Sequence, residues 1–376
     1  MEKHLHIISF NVPYPADYGG VMDVFYKLPA LQKQGVQIHL HCFEYGRGKQ
    51  PALDQYCASV HYYERFTGHK GISNTLPYIV SSRRNEELLT NLLKDDHPIF
   101  MEGVHCTYPL LDSRFANRKC FVRVHNVEYQ YYRDLCSSTT SPLKKMYYWM
   151  ESRLLKSYEK RIVSKATFWG TTEKDDEVYR KELGCRNIEQ LSLYIPDWKV
   201  DCIEGMGSYC FYHGDLSVDA NDKAATWLLK NVFHKLKIPF VIAGKNPSEK
   251  LMALAHEQGH TCLVANPSEK EMQDMIAKAH VHVIPSFTTT GMKTKLVNAL
   301  FRGRHCVVNE ATVAGSGLEA ACHIGTNANA FSEIIAQLYH QPFREEEIKL
   351  RKRLLEPMFN NEANAKKQVN WIWGPQ

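Results

Sequence analysis

Lysines and a glycine at the start of a helix suit a site that must neutralise a phosphorylated leaving group, and the stretch 287–300 places them together as Thr290-Gly291-Met292-Lys293-Thr294-Lys295, followed by Asn298. Upstream, Val281-His282-Val283-Ile284-Pro285 reads as a short buried strand; downstream, Leu296, Val297, Ala299, Leu300 and Phe301 read as the packed face of a helix. The first amide N–H groups of a helix lack intrahelical partners and the macrodipole is positive there, so phosphate oxygens are stabilised. Gly291 lets the backbone come close, and Lys293 and Lys295 add full charges. Two readings stand side by side: an anion site for a phosphorylated donor, or a solvated loop leading into a helix with two surface lysines.

Other chemically suggestive residues also follow strand-like segments. Asn11-Val12-Pro13-Tyr14-Pro15-Ala16-Asp17-Tyr18 leads to Gly19-Gly20, a glycine pair opening a helix. His125-Asn126-Val127-Glu128 follows another apolar run, and Glu102 ends a third. His213-Gly214-Asp215 and Gly244-Lys245-Asn246 occupy equivalent places later in the chain. His125 reads either as a core histidine at a strand end or as a hydrogen-bonding group for a sugar hydroxyl or an acceptor, which an imidazole can be without a shifted pKa. Glu102 either faces the same ligand or caps the next turn.

The elements that must position these residues alternate. Strands are expected at 5–10, 37–43, 59–63, 99–102, 121–125 and 167–170, with helices at 21–34, 85–94, 147–164 and 173–181. The pattern restarts with strands at 209–213, 240–243, 261–264, 281–284 and 306–308, and helices at 221–236, 248–258, 268–279, 295–301 and 328–339. Such alternation predicts parallel sheets covered on both faces, and 376 residues suit two domains. The segment 193–198 has neither periodicity and reads as the linker. In open parallel sheets ligands bind beyond the carboxyl ends of the strands. Two such domains facing each other would enclose a cleft lined by the residues just named.

Composition narrows the function classes. No G-x-G-x-x-G follows the first strand and no G-x-x-x-x-G-K-[ST] occurs, which argues against a nicotinamide oxidoreductase and a P-loop enzyme. The eleven cysteines are scattered without a C-x-x-C pair, and Cys42, Cys120, Cys210 and Cys306 sit in apolar runs, as buried free thiols would. The eighteen histidines show no recurring ligand spacing, and neither a metal nor another cofactor is expected. No apolar run is long enough to span a bilayer and no signal-peptide pattern opens the chain, so a cytoplasmic location is expected.

The formal charge of +5 is concentrated in one place. Between Leu143 and Lys165 lie Lys144, Lys145, Arg153, Lys156, Lys160, Arg161 and Lys165 against Glu151 and Glu159, which leaves the rest of the chain balanced. At about 100° per residue, Lys145, Trp149, Arg153, Lys156 and Lys160 share one arc of a helix, opposite Tyr147, Met150, Leu154 and Tyr158. This basic face reads as a solvated surface, or as a contact for anionic lipid headgroups or a pyrophosphate-bearing acceptor at the inner face of a membrane. Nucleic acid is not an expected partner.

Gly19-Gly20, His125-Asn126-Val127-Glu128, Asn221, Gly244-Lys245 and Gly291-Met292-Lys293-Thr294-Lys295-Leu296, in this order, resemble the GT-B glycosyltransferases of family 4 (group 1) over nearly the whole chain. The resemblance implies two facing Rossmann-like, doubly wound α/β domains with parallel sheets: residues 1–194 for the acceptor, joined by a C-terminal helix at 362–376, and 195–361 for the nucleotide-sugar. It implies transfer of a hexose-type sugar from a nucleotide-diphosphate donor to a glycan or lipid-linked acceptor of surface polysaccharide assembly, with retention of configuration. His125, Lys293 and Lys295 would be catalytic. Gly19, Gly20, Gly244, Lys245, Thr290, Gly291, Met292, Thr294 and Asn298 would bind the donor, and Glu102, Asn126 and Glu128 would lie on the acceptor side. The chain departs from the family where a pair of glutamates usually flanks the loop: Thr290 and Asn298 stand there instead. The arginine expected near His213-Gly214-Asp215 is also missing, with Lys223 the remaining candidate cation. Two alternatives are a GT-B sugar-nucleotide 2-epimerase, which would need carboxylates for its chemistry, and a catalytically impaired partner subunit that binds nucleotide-sugar or glycan.

Overall fold

A computed structural model describes residues 2–375. Seven strands, β1 (Lys3–Ser9), β2 (Val36–Glu44), β3 (Ser59–Glu64), β4 (Ile99–Glu102), β5 (Cys120–Val124), β6 (Thr167–Gly170) and β7 (Ile188–Gln190), form a sheet in the order β3-β2-β1-β4-β5-β6-β7. Six more, β8 (Cys210–Asp215), β9 (Phe240–Lys245), β10 (Thr261–Ala265), β11 (Val281–Ile284), β12 (His305–Val308) and β13 (His323–Ile324), form a second in the order β10-β9-β8-β11-β12-β13. The pairings within both sheets are parallel. Strand order reverses between β1 and β4 in the first sheet and between β8 and β11 in the second. In a doubly wound sheet that reversal opens a crevice at the strand carboxyl ends.

Near-continuous apolar strands are what burial on both faces demands. Leu5 and Ile7 of β1 pack with Phe100 of β4 in one core, while Ile8, Ile99 and Met101 pack in the core on the other face, alternating as a pleated strand must. In the second sheet β11 and β12 are buried throughout. The chain divides into two compact units: residues 1–133, 146–196 and 359–376, and residues 134–145 and 197–358. The helix Asn361–Trp373 belongs to the first unit. There Ala365, Val369 and Ile372 join the core, the Gln368 side chain accepts from the Tyr194 hydroxyl at 2.8 Å, and Asn361 exchanges two hydrogen bonds with the backbone of Ile195.

The expected strands are present with ends shifted by one or two residues, and two edge strands, β7 and β13, are additional. With three and two residues they are too short to carry a period. The helices used below are α1 (Gly19–Lys33), α2 (Glu128–Ser138), α3 (Pro142–Ile162), α4 (Asp219–Leu228) and α5 (Thr294–Arg302). One face was misread. On α3 the packed side comprises Glu151, Leu155, Tyr158 and Ile162, whereas Tyr147 and Met150 are exposed. Glu151 is drawn inward because its carboxylate accepts from the Tyr78 N–H at 2.8 Å, which rotates the buried stripe away from the purely apolar one.

A second inward carboxylate of α3, Glu159, caps α2. It accepts from the N–H groups of Glu128 and Tyr129 at 3.1 and 3.0 Å and from the Tyr179 hydroxyl at 2.8 Å. Burial pushes the Glu159 carboxyl up to about 7. Burial, then the nearby Glu159 charge, pushes Glu128 up to about 8. Between the ordinary carboxyl value and those values the folded chain holds protons that the unfolded chain has released, so stability falls as pH rises through this window. Differential scanning fluorimetry from about pH 5 to 9 should show the decline, and Glu128→Gln should flatten it and melt higher than the parent at the alkaline end. Parallel curves for the two proteins would contradict the assignment.

Candidate functional site

The loop after β11 begins at Pro285 and delivers the backbone to α5. Asn309 braces its start: the side-chain oxygen accepts from the Ser286 N–H at 2.9 Å, and the side-chain nitrogen donates to the Ser286 carbonyl at 2.8 Å. Gly291 has φ of 75°, a left-handed conformation that a side chain would strain. Thr290 is buried, and its carbonyl accepts from the Lys293 ammonium. No side chain caps the first turn of α5, and no acidic residue stands in it. A carboxylate already tests the loop's preference for oxyanions, since Asp134, of the same unit, accepts from the Thr289 N–H and hydroxyl at 2.8 and 2.9 Å.

The switch point brings β8 beside β11, and Lys295 reaches across it. Its ammonium donates to the Asn221 side-chain oxygen at 2.7 Å and the Tyr212 hydroxyl at 3.1 Å, and lies 4.8 Å from the centre of the Tyr212 ring. Asn221 is held in turn by donating to the Asp215 carbonyl at 2.9 Å. Burial, with Lys293 as a smaller contributor, pulls the Lys295 ammonium down to about 7. Such a lysine gains charge when an anion arrives. A Cβ at Gly214 would stand 3.3 Å from the Asn221 side chain and 3.4 Å from the Lys295 nitrogen, so the glycine leaves both groups room; Gly244 must be a glycine, because a Cβ there would meet the Gly214 carbonyl at 1.8 Å.

Of the other donor-side residues, Met292 and Thr294 are partly buried beside Gly291, and Lys245 is exposed at the end of β9. Asn298 lies one turn into α5, and its side-chain oxygen is buried without a hydrogen-bond partner. A buried acceptor left unpaired costs about 1–3 kcal/mol. A ligand hydroxyl would satisfy it. Lys223, on α4, holds its ammonium 4.7 Å from the centre of the Phe287 ring, with its pKa lowered by burial.

In the first unit, α1 begins at Gly19 with no side-chain cap and no acid in its first turn. Gly20 is needed for packing, since a Cβ would stand 2.8 Å from the Phe10 ring. One turn further in, Asp23 and Lys27 project to the switch point of β1 and β4. There Lys27 pairs with Glu102 and, at 3.5 Å, with Asp23; Arg123 donates to Asp23 at 3.0 Å. Buried charges survive only when paired and hydrogen-bonded, and this set balances. Burial opposes ionisation of Asp23, but Arg123 and Lys27 outweigh it and hold the carboxyl well below its usual range. Glu102 is lowered for the same reason, by Lys27 and His125 against burial. His125 donates from Nε2 to Glu102 at 3.1 Å, and its Nδ1 lies 3.9 Å from Asp23, so both edges of the ring face carboxylates.

His125 and Glu102 are thus brought together, whereas Asn126 contacts Glu128, which is buried against Glu159 rather than beside His125. Asp23, Lys27, Arg123, Tyr212 and Asp134 went unnoticed in the sequence. Asp23 and Lys27 at i and i+4 on the buried face of α1 are the signal that was there to find.

Residues 207–341 match the model of the glycosyl transferases group 1 family. The matched residues all lie within the second unit. The sucrose-phosphate synthase from Thermosynechococcus elongatus superposes with a TM-score of 0.71 at 14% identity, covering 98% of both chains. TarM superposes at 0.72 with 10% identity over 99% of both, and Anabaena HepE, solved with UDP and glucose, at 0.65 with 10% identity over 98% of this chain and 99% of its own. These likenesses establish the GT-B fold expected from the sequence. An uncharacterized 44.6 kDa protein of the cps region of Klebsiella pneumoniae is 26% identical over 329 residues, 83% of this chain and 84% of that protein. The family match includes β8 to β13, hence Lys295 and both of its partners.

Proposed function

We propose that the protein transfers a hexose-type sugar from a nucleotide-diphosphate donor to a glycan or lipid-linked acceptor in surface polysaccharide assembly, with retention of configuration and without a metal ion at the reaction centre. The observation that carries this reading is the Lys295 ammonium, held by neutral oxygens at the β8–β11 switch point and lowered to about 7. Breaking a glycosyl–phosphate bond creates an oxocarbenium-like sugar and a diphosphate with added negative charge. Preorganised cations and amide dipoles at the leaving group lower that barrier. Lys293, Lys295, the Gly291 turn and the uncapped start of α5 supply them, with Lys223 and Lys245 as further cations. The unpaired Asn298 oxygen is suited to a ribose hydroxyl, replacing a carboxylate by a neutral acceptor. HepE was solved with UDP and glucose, and the Klebsiella relative lies in a cps region, which supports a nucleotide-sugar and a polysaccharide context.

In the first unit, His125 is the proposed partner of a sugar hydroxyl, oriented by Glu102, and the Gly19-Gly20 start of α1 offers amide N–H groups to a phosphate. Nucleotide release from a panel of nucleotide-sugars, with and without glycan or lipid-linked acceptors, separates the possibilities. Acceptor-dependent release is expected; C2 isomerisation, or binding without turnover, would replace transfer by epimerase or binding functions. Lys295→Ala and Lys293→Ala should each lower kcat by roughly a hundredfold with folding intact, the scale of losing one preorganised donor at a developing oxyanion. Unchanged turnover in both variants would remove the lysines from the chemistry.

A peripheral site at the inner face of a membrane is the proposed location. No helix among the described residues is long and apolar enough to cross a bilayer. The first half of α3 instead exposes Leu143 at 82%, Met146 at 62% and Trp149 at 50%, beside Lys145 and Arg153. The Arg153 guanidinium stacks 4.2 Å from the centre of the Trp149 ring. Apolar side chains flanked by lysine and arginine suit the headgroup boundary of an anionic leaflet. Flotation should recover the protein with vesicles containing phosphatidylglycerol and not with neutral vesicles, and Trp149→Glu with Met146→Glu should abolish it. Equal recovery with both vesicle types would contradict the electrostatic part.

A further inference from the structure

Six histidines crowd one region of the first unit. His4 and His6 lie on β1, His39 and His41 on β2, His61 on β3, and His97 on the turn that leads into β4. We propose that three of them, His4, His39 and His97, form a binding site for a borderline divalent ion of the Zn2+ class, towards the amino ends of the strands and away from the transfer chemistry. One ring nitrogen from each of the three lies within 4.8 Å of the others, and all three side chains are partly exposed, so an ion can reach them.

The outer hydrogen bonds set the rings for this task. His4 Nε2 donates to the Glu2 carboxylate at 3.3 Å, which leaves His4 Nδ1 as a lone pair. That lone pair faces His39 Nε2 at 3.1 Å, while His39 Nδ1 is held by the Ser59 hydroxyl at 2.9 Å. Two imidazole nitrogens bound to one tetrahedral zinc, at 2.0–2.1 Å each, stand about 3.3 Å apart. The 3.1 Å pair is already at that spacing. Binding replaces the proton between the two rings: His39 moves its hydrogen to Nδ1 and donates to Ser59, and no proton is released. Metal-binding histidines typically anchor their second nitrogen to a carboxylate or another oxygen in this way.

His97 completes the set. Its backbone N–H donates to Asp95 at 2.9 Å, which fixes the turn, and its ring lies parallel to His4 with centroids 4.5 Å apart. A ring rotation turns its nitrogen towards the pair, and water fills the fourth position. Two other clusters are less suited. Beside Asp23, Glu102 and His125, Lys27 and Arg123 already supply the positive charge. Beside His305 and His323, Glu347 is occupied by His305 and the Arg344 N–H.

Isothermal titration of untagged, chelator-treated protein with Zn2+, with Mg2+ as the control, tests the site. One Zn2+ per chain should bind and Mg2+ should not. His39→Ala and His97→Ala should each weaken Zn2+ binding at least tenfold, and His305→Ala should leave it unchanged. His97 lies on a turn, so its alanine variant should fold, which circular dichroism checks. Absence of Zn2+ binding by the parent, or equal affinity in a folded His97→Ala variant, would overturn the proposal. Loss of binding in His305→Ala alone would also overturn it, by placing the ion elsewhere.

Discussion

A partly buried ammonium with no carboxylate partner among the described residues is the feature around which the second switch point is arranged. Lys295 sits among the Tyr212 hydroxyl, the Tyr212 ring and the Asn221 amide, groups that orient it without neutralising it. Desolvation of a cation is costly unless an anion compensates. The fold tolerates the arrangement because the lysine can shed its proton, as its lowered pKa states. Gly214 leaves room beside it, and Gly291, in a left-handed conformation, turns the chain shortly before α5 begins. The first unit solves the opposite problem. Its switch point carries Asp23, Glu102, Lys27 and Arg123 as a closed, balanced set that fixes His125. One switch point holds an unbalanced cation and the other a balanced set of charges.

Much of this was legible because parallel sheets tie chemistry to the ends of strands. Val281–Ile284, the loop and the α5 face followed from apolar spacing and one glycine, and so did the division of the strands between two sheets. What spacing could not give was which strands lie side by side. Asn221 and Tyr212 meet Lys295 only because β8 neighbours β11 across a long crossover. Arg123 was hidden for another reason: it stands in the middle of the buried strand β5, where a charge is tolerated only through Asp23 and the carbonyls of Gly170, Leu191 and Ser192. The packed face of α3 was misread for the same cause, since the inward Glu151 and Glu159 look like surface residues until their backbone partners are known. The strands β7 and β13 were too short to show a period.

The departures from the family pattern acquire physical content. Thr290 is buried and offers its carbonyl to Lys293, so the loop needs no carboxylate there to hold its shape. The Asn298 side-chain oxygen is buried with no hydrogen-bond partner among the described residues. The proposed zinc site runs against the expectation, drawn from histidine spacing along the whole chain, that no metal binds: His4 and His39 come together only through the pairing of β1 with β2, and His97 joins them from the segment before β4.

Under the proposed function, Lys295 is partly neutral before a diphosphate binds and becomes charged when it does. Calorimetry of UDP binding at about pH 8, in buffers of different ionisation enthalpy, measures this directly. A bound anion raises the ammonium pKa, so the protein should take up close to one proton from the buffer, and Lys295→Met should abolish the uptake while retaining its fold. Binding of UDP with no proton uptake, or with uptake unchanged in Lys295→Met, would contradict the claim.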